Sequence, residues 1–319
     1  MVSFDSITDA AKNLKNIAHV TPVFTSTQLN KLTDRNIFFK CENLQKGGSF
    51  KIRGAYTAIS RLVKREPVKG VITFSSGNHA QGVALSAQLL GLKCVTVMPV
   101  DISPSKRHAT KTYGAEIVLK GLSSKDRKEE AERLSELKDF TIIHPYDDVD
   151  VIAGQGTVAA EFLEQVPDMD TLLVPIGGGG LISGSLIAAK TINPKIKVYG
   201  VQSEISNSAY QSLKSGKRVE IPYPRTVADG MRNLMIGEMN WKIIKKYVDD
   251  IILVTDEEIM KSVKIILQYT KLLVEPSGAV TSAAIFYDKL PKDSKKVGSI
   301  LCGGNIDYHV LSEIATKAI

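Results

Sequence analysis

Short apolar, β-branched runs alternate along this chain with longer stretches of helical character, and that alternation restricts the fold more than any other feature. The runs at 71–74, 94–100, 116–119, 141–145, 171–176, 197–201, 250–254 and 297–302 read as strands. The segments 79–90, 104–113, 124–137, 157–165 and 181–190 read as the helices between them. Strands separated by helices cannot pair as hairpins. They return in the same direction, so the expected class is α/β, with parallel sheets covered by helices on both faces. In such folds ligands bind beyond the carboxyl ends of the strands. Soft boundaries at 67–70 and 147–150 divide the chain into two doubly wound domains. The large one is expected to hold residues 1–69 and 147–319. The small one, 70–146, is inserted into it and expected to move.

Composition narrows the function classes. A chain of 319 residues that is 43% apolar has enough material for a sizeable core. Its formal charge of +7 comes from Lys and Arg interspersed with Asp and Glu. That describes a solvated surface rather than a nucleic-acid footprint, and no nucleic-acid-binding motif accompanies it. Cys41, Cys94 and Cys302 are far apart and show no C-x-x-C spacing, and the histidines form no H-x-x-x-H pair. Neither a disulfide framework nor a zinc site is expected. No apolar run resembles a signal peptide or reaches the roughly 18 residues of a membrane span. The expectation is a soluble, cytoplasmic protein.

Four segments carry chemistry. Gly177, Gly178, Gly179 and Gly180 stand between a strand and a helix. Backbone N–H groups without side-chain obstruction, next to the positive end of a helix, make a cup for phosphate. The run is neither a Walker loop nor G-x-G-x-x-G, which weighs against nucleotide chemistry. Ser49-Phe50-Lys51-Ile52-Arg53-Gly54-Ala55 contains a lysine, the side chain suited to a reversible Schiff base. Ser75-Ser76-Gly77-Asn78-His79 gathers hydroxyls, an amide and free N–H groups at a strand-to-helix turn. It reads as a carboxylate site or as an ordinary capped helix start. Cys302-Gly303-Gly304-Asn305 follows a buried strand, and by itself reads as an ordinary turn with a buried thiol.

In combination, and with Ala153-Gly154-Gln155-Gly156-Thr157, these segments resemble the fold-type II pyridoxal-phosphate family, in its serine racemase and threonine dehydratase branch. The resemblance runs from Thr21-Pro22 to Asn305. It implies that Lys51 carries pyridoxal phosphate as a Schiff base and that Gly177 to Gly180 hold the phosphate. It places Asn78 against the ring hydroxyl, Phe50 beside the ring and Cys302 opposite the pyridine nitrogen. A neutral partner there leaves that nitrogen unprotonated, so the cofactor is a weaker electron sink. Ser75, Ser76, Asn78, His79 and Arg127 are expected to bind the substrate. Arg127 also reads as one more residue of a charged helix.

Ser76 separates the activities within the branch. Bacterial threonine dehydratases typically have alanine there. Racemisation needs a proton-transfer group on each face of a planar carbon. Lys51 would serve one face and Ser76 the other. The expected activity is interconversion of L- and D-serine, with elimination of serine to pyruvate and ammonia alongside. The substrate is a small amino acid, L-serine and in second place L-threonine. The alternative is an L-serine/L-threonine or hydroxyaspartate dehydratase without useful racemisation. β-Replacement and a non-catalytic binding module fit less well.

Serine racemases place a glutamate and an aspartate on a divalent metal where this chain has Gln202 and Ser208, and Glu204 is out of register. Magnesium or calcium activation is therefore not expected. An ATP effector site is carried over at Ser26, Thr27, Lys106, Tyr113 and Asn305. A homodimer is carried over by family analogy. No regulatory domain is expected.

Overall fold

The structure, a computed structural model, describes residues 2–75 and 77–316. Among these residues ten strands follow in chain order: β1 (Val23–Phe24), β2 (Asn36–Lys40), β3 (Gly70–Phe74), β4 (Lys93–Met98), β5 (Glu116–Leu119), β6 (Thr141–Ile142), β7 (Thr171–Pro175), β8 (Lys197–Ser203), β9 (Asp250–Val254) and β10 (Lys296–Ile300). They form a six-stranded sheet, ordered β1-β2-β10-β7-β8-β9, and a four-stranded sheet, ordered β5-β4-β3-β6. Only β1 and β2 pair antiparallel. The other neighbours are parallel. Strands covered on both faces need apolar residues throughout, and every residue of β3 and of β7 is buried. The chain is thus an α/β protein with two parallel-sheet units. No helix among the described residues is long and apolar enough to cross a membrane.

Two elements differ from the sequence expectation in ways that matter for the site. β1 and β2 extend the large sheet from a region that showed no alternation. The expected helix at 157–165 is the second half of a longer one, Val149–Gln165. That helix starts where the Asp148 carboxylate accepts the N–H groups of Asp150 and Val151 at 2.8 and 2.9 Å. Gly154 and Gly156 weaken its intrinsic propensity. Tertiary contact reverses that. A Cβ on Gly184 of the neighbouring helix Gly180–Ile192 would stand 2.6 Å from the Gly156 Cα, so the two backbones meet where neither residue has a side chain.

A buried charge network fixes the start of helix Lys51–Arg65. The Arg53 guanidinium donates through Nε and Nη2 to the two Glu42 oxygens at 2.9 and 2.8 Å, and through Nη2 to Glu161 Oε1 at 3.0 Å. Lys40 Nζ adds a 2.5 Å bond to the same Glu161 oxygen. Burial alone would lower the guanidinium pKa, but the two carboxylates outweigh it and hold it charged. Removing one member of such a network leaves a desolvated charge behind. Arg53→Met is expected to cost about 3–5 kcal/mol of folding stability, read as a lower urea midpoint with an unchanged slope.

Candidate active site

The signature segments leave the carboxyl ends of their strands and meet in one cleft. β3 delivers Ser75, Gly77, Asn78 and His79. β7 delivers the four glycines, and β10 delivers Cys302. Lys51 enters from the side, as the first residue of its helix. The loop before it is tied to the end of β10, because Phe50 N–H donates to Cys302 O at 3.2 Å. The four-stranded and six-stranded units each supply one wall.

Lys51 Nζ donates to Pro145 O at 3.0 Å and lies 5.1 Å from the centroid of the Phe50 ring. It forms no ion pair among the described residues. Burial without a compensating anion pushes its pKa down to about 8. Such an amine is neutral often enough near physiological pH to act as a nucleophile or base.

The glycine run is a cradle that other residues would fill. Gly179 sits at φ +103°, in the left-handed region. A Cβ on Gly178 would drive into the Tyr146 ring, and one on Gly177 would stand 2.9 Å from Asn233 Oδ1. The loop is braced from below, where Gly237 N–H and Asn240 Nδ2 donate to Gly178 O at 3.0 and 3.2 Å. This geometry presents backbone N–H groups and a helix start to an anion. With a reactive lysine across the cleft, it fits a phosphorylated aldehyde such as pyridoxal phosphate.

Cys302 is buried, and its Sγ donates to Ser277 O at 3.3 Å. Burial, reinforced by the charge of Glu275, raises its pKa, so it stands as a neutral thiol. Asn78 donates through Nδ2 to Glu275 Oε1 and accepts from Asn305 Nδ2 at 3.0 Å. This fixes its amide orientation and leaves its second N–H for a ligand. Ser75 Oγ accepts from Gly77 N–H at 3.2 Å. His79 is buried, with Nε2 3.5 Å from Ile143 O and no partner for Nδ1. Burial, followed by the nearby charge of Lys51, holds it well below the usual histidine range and hence neutral. Ser76 lies outside the described residues.

Arg127 is 5% exposed, while its neighbours Lys125 and Lys128 face solvent. The reading of Arg127 as one more solvated helix residue therefore fails. Its Nη1 donates to Leu122 O at 2.8 Å, its Nε has no partner, and it forms no ion pair among the described residues. A desolvated guanidinium with spare donors at a cleft wall fits a carboxylate.

The five residues expected around ATP are spread over several elements, and of them Lys106 lines this cleft. Ser26 caps helix Thr27–Thr33, and Tyr113 ends helix Pro104–Thr112. Lys106 and Asn305 instead touch the cleft residues Glu275 and Asn78. The Gln202 amide is taken up by backbone: Nε2 donates to Ile176 O at 3.3 Å and Oε1 accepts from Tyr210 N–H at 3.0 Å. Ser208 Oγ is buried without a partner. No cluster of His, Cys, Asp or Glu among the described residues is arranged to hold a metal.

Sequence reasoning missed Tyr146, Asp229, Asn233, Glu275 and Ser277, all of which line the cleft. One local signal was available, Glu275-Pro276. Proline in the first helical position marks a helix start, and that start points Glu275 and Ser277 into the site.

The chain has clear relatives. A family model described as pyridoxal-phosphate dependent enzyme matches residues 14–303. Serine racemase of Schizosaccharomyces pombe is 43% identical over 315 residues, 98% of each chain. L-threo-3-hydroxyaspartate ammonia-lyase of Saccharomyces cerevisiae is 44% identical over 305 residues, 96% of this chain and 94% of the relative. The structure of maize serine racemase superposes with a TM-score of 0.94 at 40% identity, covering 98% of this chain and 96% of that one.

Proposed function

The chain belongs to the pyridoxal-phosphate dependent enzymes, and from that premise we propose that it interconverts L- and D-serine and also eliminates serine to pyruvate and ammonia. One observation carries the reading. A desolvated amine, Lys51, faces a glycine cradle and, within the same cleft, the buried Arg127 guanidinium, which has no ion pair among the described residues.

Gly177 to Gly180 would hold the cofactor phosphate, Asn78 its ring hydroxyl and Cys302 its ring nitrogen. When bound, pyridoxal phosphate supplies an aldehyde for Lys51 and an electron-withdrawing ring that acidifies the hydrogen on the substrate's α-carbon. Arg127 and the N–H groups at the start of helix Asn78–Leu89 bind the substrate carboxylate. Lys51 Nζ takes the α-proton from one face, and Ser76 Oγ returns one on the other. Elimination follows when Lys51, now protonated, assists departure of the β-hydroxyl instead. The four-stranded unit closes on substrate and excludes water.

A second reading, an ammonia-lyase of L-threonine or L-threo-3-hydroxyaspartate, is favoured by one feature. Gln202 and Ser208 stand where serine racemases carry metal-binding carboxylates, and the Gln202 amide is already taken up by backbone. Chiral amino-acid analysis together with pyruvate release, from protein loaded with pyridoxal phosphate and given L-serine, separates the two. D-Serine at a rate comparable to pyruvate is the expected result. Pyruvate alone, with faster release from hydroxyaspartate or threonine, would establish the lyase. Arms with magnesium and with ATP test for a metal or nucleotide effector, and a flat magnesium response is expected.

A further inference from the structure

Lys106 stands out among the charged groups of the cleft because the chemistry above does not use it. It belongs to helix Pro104–Thr112 of the four-stranded unit and is 4% exposed. Its Nζ lies 2.6 Å from Asp229 Oδ2 and 2.9 Å from Glu275 Oε2, both in the six-stranded unit. Its aliphatic stem packs beneath the loop that follows β3. A Cβ on Gly77, at φ +153°, would stand 2.5 Å from Lys106 Cδ. The second Glu275 oxygen accepts from Asn78 Nδ2. A continuous path of contacts therefore runs from Gly77, through the lysine, to the opposite wall and back to Asn78. The helix has a further tie to the segment after β10, because Ser103 Oγ donates to Asp307 Oδ1 at 2.7 Å.

The charges make this path rigid. Burial alone would lower the Lys106 pKa, but Asp229 and Glu275 outweigh it and hold the ammonium firmly charged. Burial raises the pKa of Glu275, and Lys106 opposes that shift. A buried ion pair of this kind is weak evidence for stability, since a hydrophobic replacement is often neutral. Its value lies in geometry, because it is satisfied in only one arrangement of the two walls.

We propose that Lys106 is a positioning residue that holds Gly77 and Asn78 in register with the six-stranded unit and, through Glu275, sets the orientation of Asn78. The role rests on the reading of this cleft as an amino-acid site. It assigns to Lys106 no contact with substrate.

The test uses Lys106→Met and the double variant Lys106→Met/Glu275→Gln, both loaded with pyridoxal phosphate. Lys106→Met leaves Glu275 buried without its cation, and the second substitution removes that charge. The KM for L-serine is expected to rise about tenfold in Lys106→Met, with a smaller fall in kcat. Without substrate, amide exchange at 77–80 is expected to accelerate about tenfold. The double variant should regain the thermal midpoint but neither the KM nor the slow exchange. The proposal is overturned if KM and exchange in Lys106→Met stay within about twofold of the parent. It is equally overturned if both return to parent values in the double variant, because Lys106 would then serve only to neutralise Glu275. If the parent shows no turnover of L-serine, the reading of the cleft fails by itself and the exchange result still decides the clamp. Should Lys106→Met not fold, Asp229→Asn removes only the partly exposed partner, and the same two measurements should move in the same direction.

Discussion

Replacing Lys51 by alanine is expected to abolish turnover of L-serine, a fall of more than about a thousandfold, and to remove the absorbance band at roughly 410–420 nm expected of a lysine-bound pyridoxal. Both losses share one origin. The helix Lys51–Arg65 begins at the cleft, and its first side chain is the only amine lining it, among the described residues, without a carboxylate partner. Lys106 is locked in ion pairs and cannot substitute. The pH dependence follows from desolvation. An ammonium that burial brings down to about 8 releases its proton far earlier than a lysine in water. At pH 8 that leaves on the order of a hundredfold more neutral amine than the ordinary lysine value would. Capture of pyridoxal phosphate by cofactor-free protein, which needs the neutral amine, should therefore speed up as pH rises and level off above about 8. A rate still climbing through pH 10 would mean that Lys51 titrates as an ordinary lysine, and the cleft would not be the reactive environment its geometry describes. A band that survives in Lys51→Ala would move the covalent role elsewhere.

What the sequence made legible depended on how local each signal was. The tetraglycine, the lysine motif and the loop after β3 each lie within a few residues, next to a strand whose apolar run is unmistakable. Parallel topology follows from those runs because helices separate them. β2 was missed because Asn36–Lys40 is a single short run in a region without alternation. Only its pairing with β10, 260 residues later by the register Lys296 to Asn36, makes it a strand. Tyr146, Asn233 and Glu275 were missed for the same reason. The Tyr146 ring reaches Gly178, and Glu275 reaches Asn78 and Lys106, through tertiary contacts that no spacing rule encodes. Arg127 was named for the substrate, but the sequence alone left a solvated position equally open. Its neighbours are charged, yet helix Ser124–Lys138 turns this one side chain inward, and burial rather than composition decides what it can do. The Gln202 position was legible as a departure from the pattern that the family resemblance implies, but not the way its amide closes on Ile176 and Tyr210.

Ser76→Ala should collapse D-serine formation by roughly a hundredfold or more while elimination from L-serine stays within a few-fold of the parent. The two activities share the first proton transfer, which Lys51 performs alone. They divide at the next step, since inversion requires a donor on the far face and elimination does not. Several other polar groups nearby already have partners. Ser75 Oγ accepts from Gly77 N–H, His79 is held neutral against Ile143, and the Cys302 thiol donates to Ser277 O. Burial lowers the Arg127 pKa, yet a guanidinium is not deprotonated in proteins, so Arg127 can bind the substrate but not exchange a proton with it. Two hydroxyls are the candidates to test: Ser76, which resemblance assigns to the far face, and the Tyr146 phenol, whose ring packs over the glycine cradle and whose pKa burial raises. Chiral analysis of Ser76→Ala beside Tyr146→Phe discriminates between them. D-Serine lost in the first and kept in the second assigns the far-face proton to Ser76. D-Serine kept in the first and lost in the second transfers that role to Tyr146, and Ser76 would then serve the helix start and the substrate carboxylate alone.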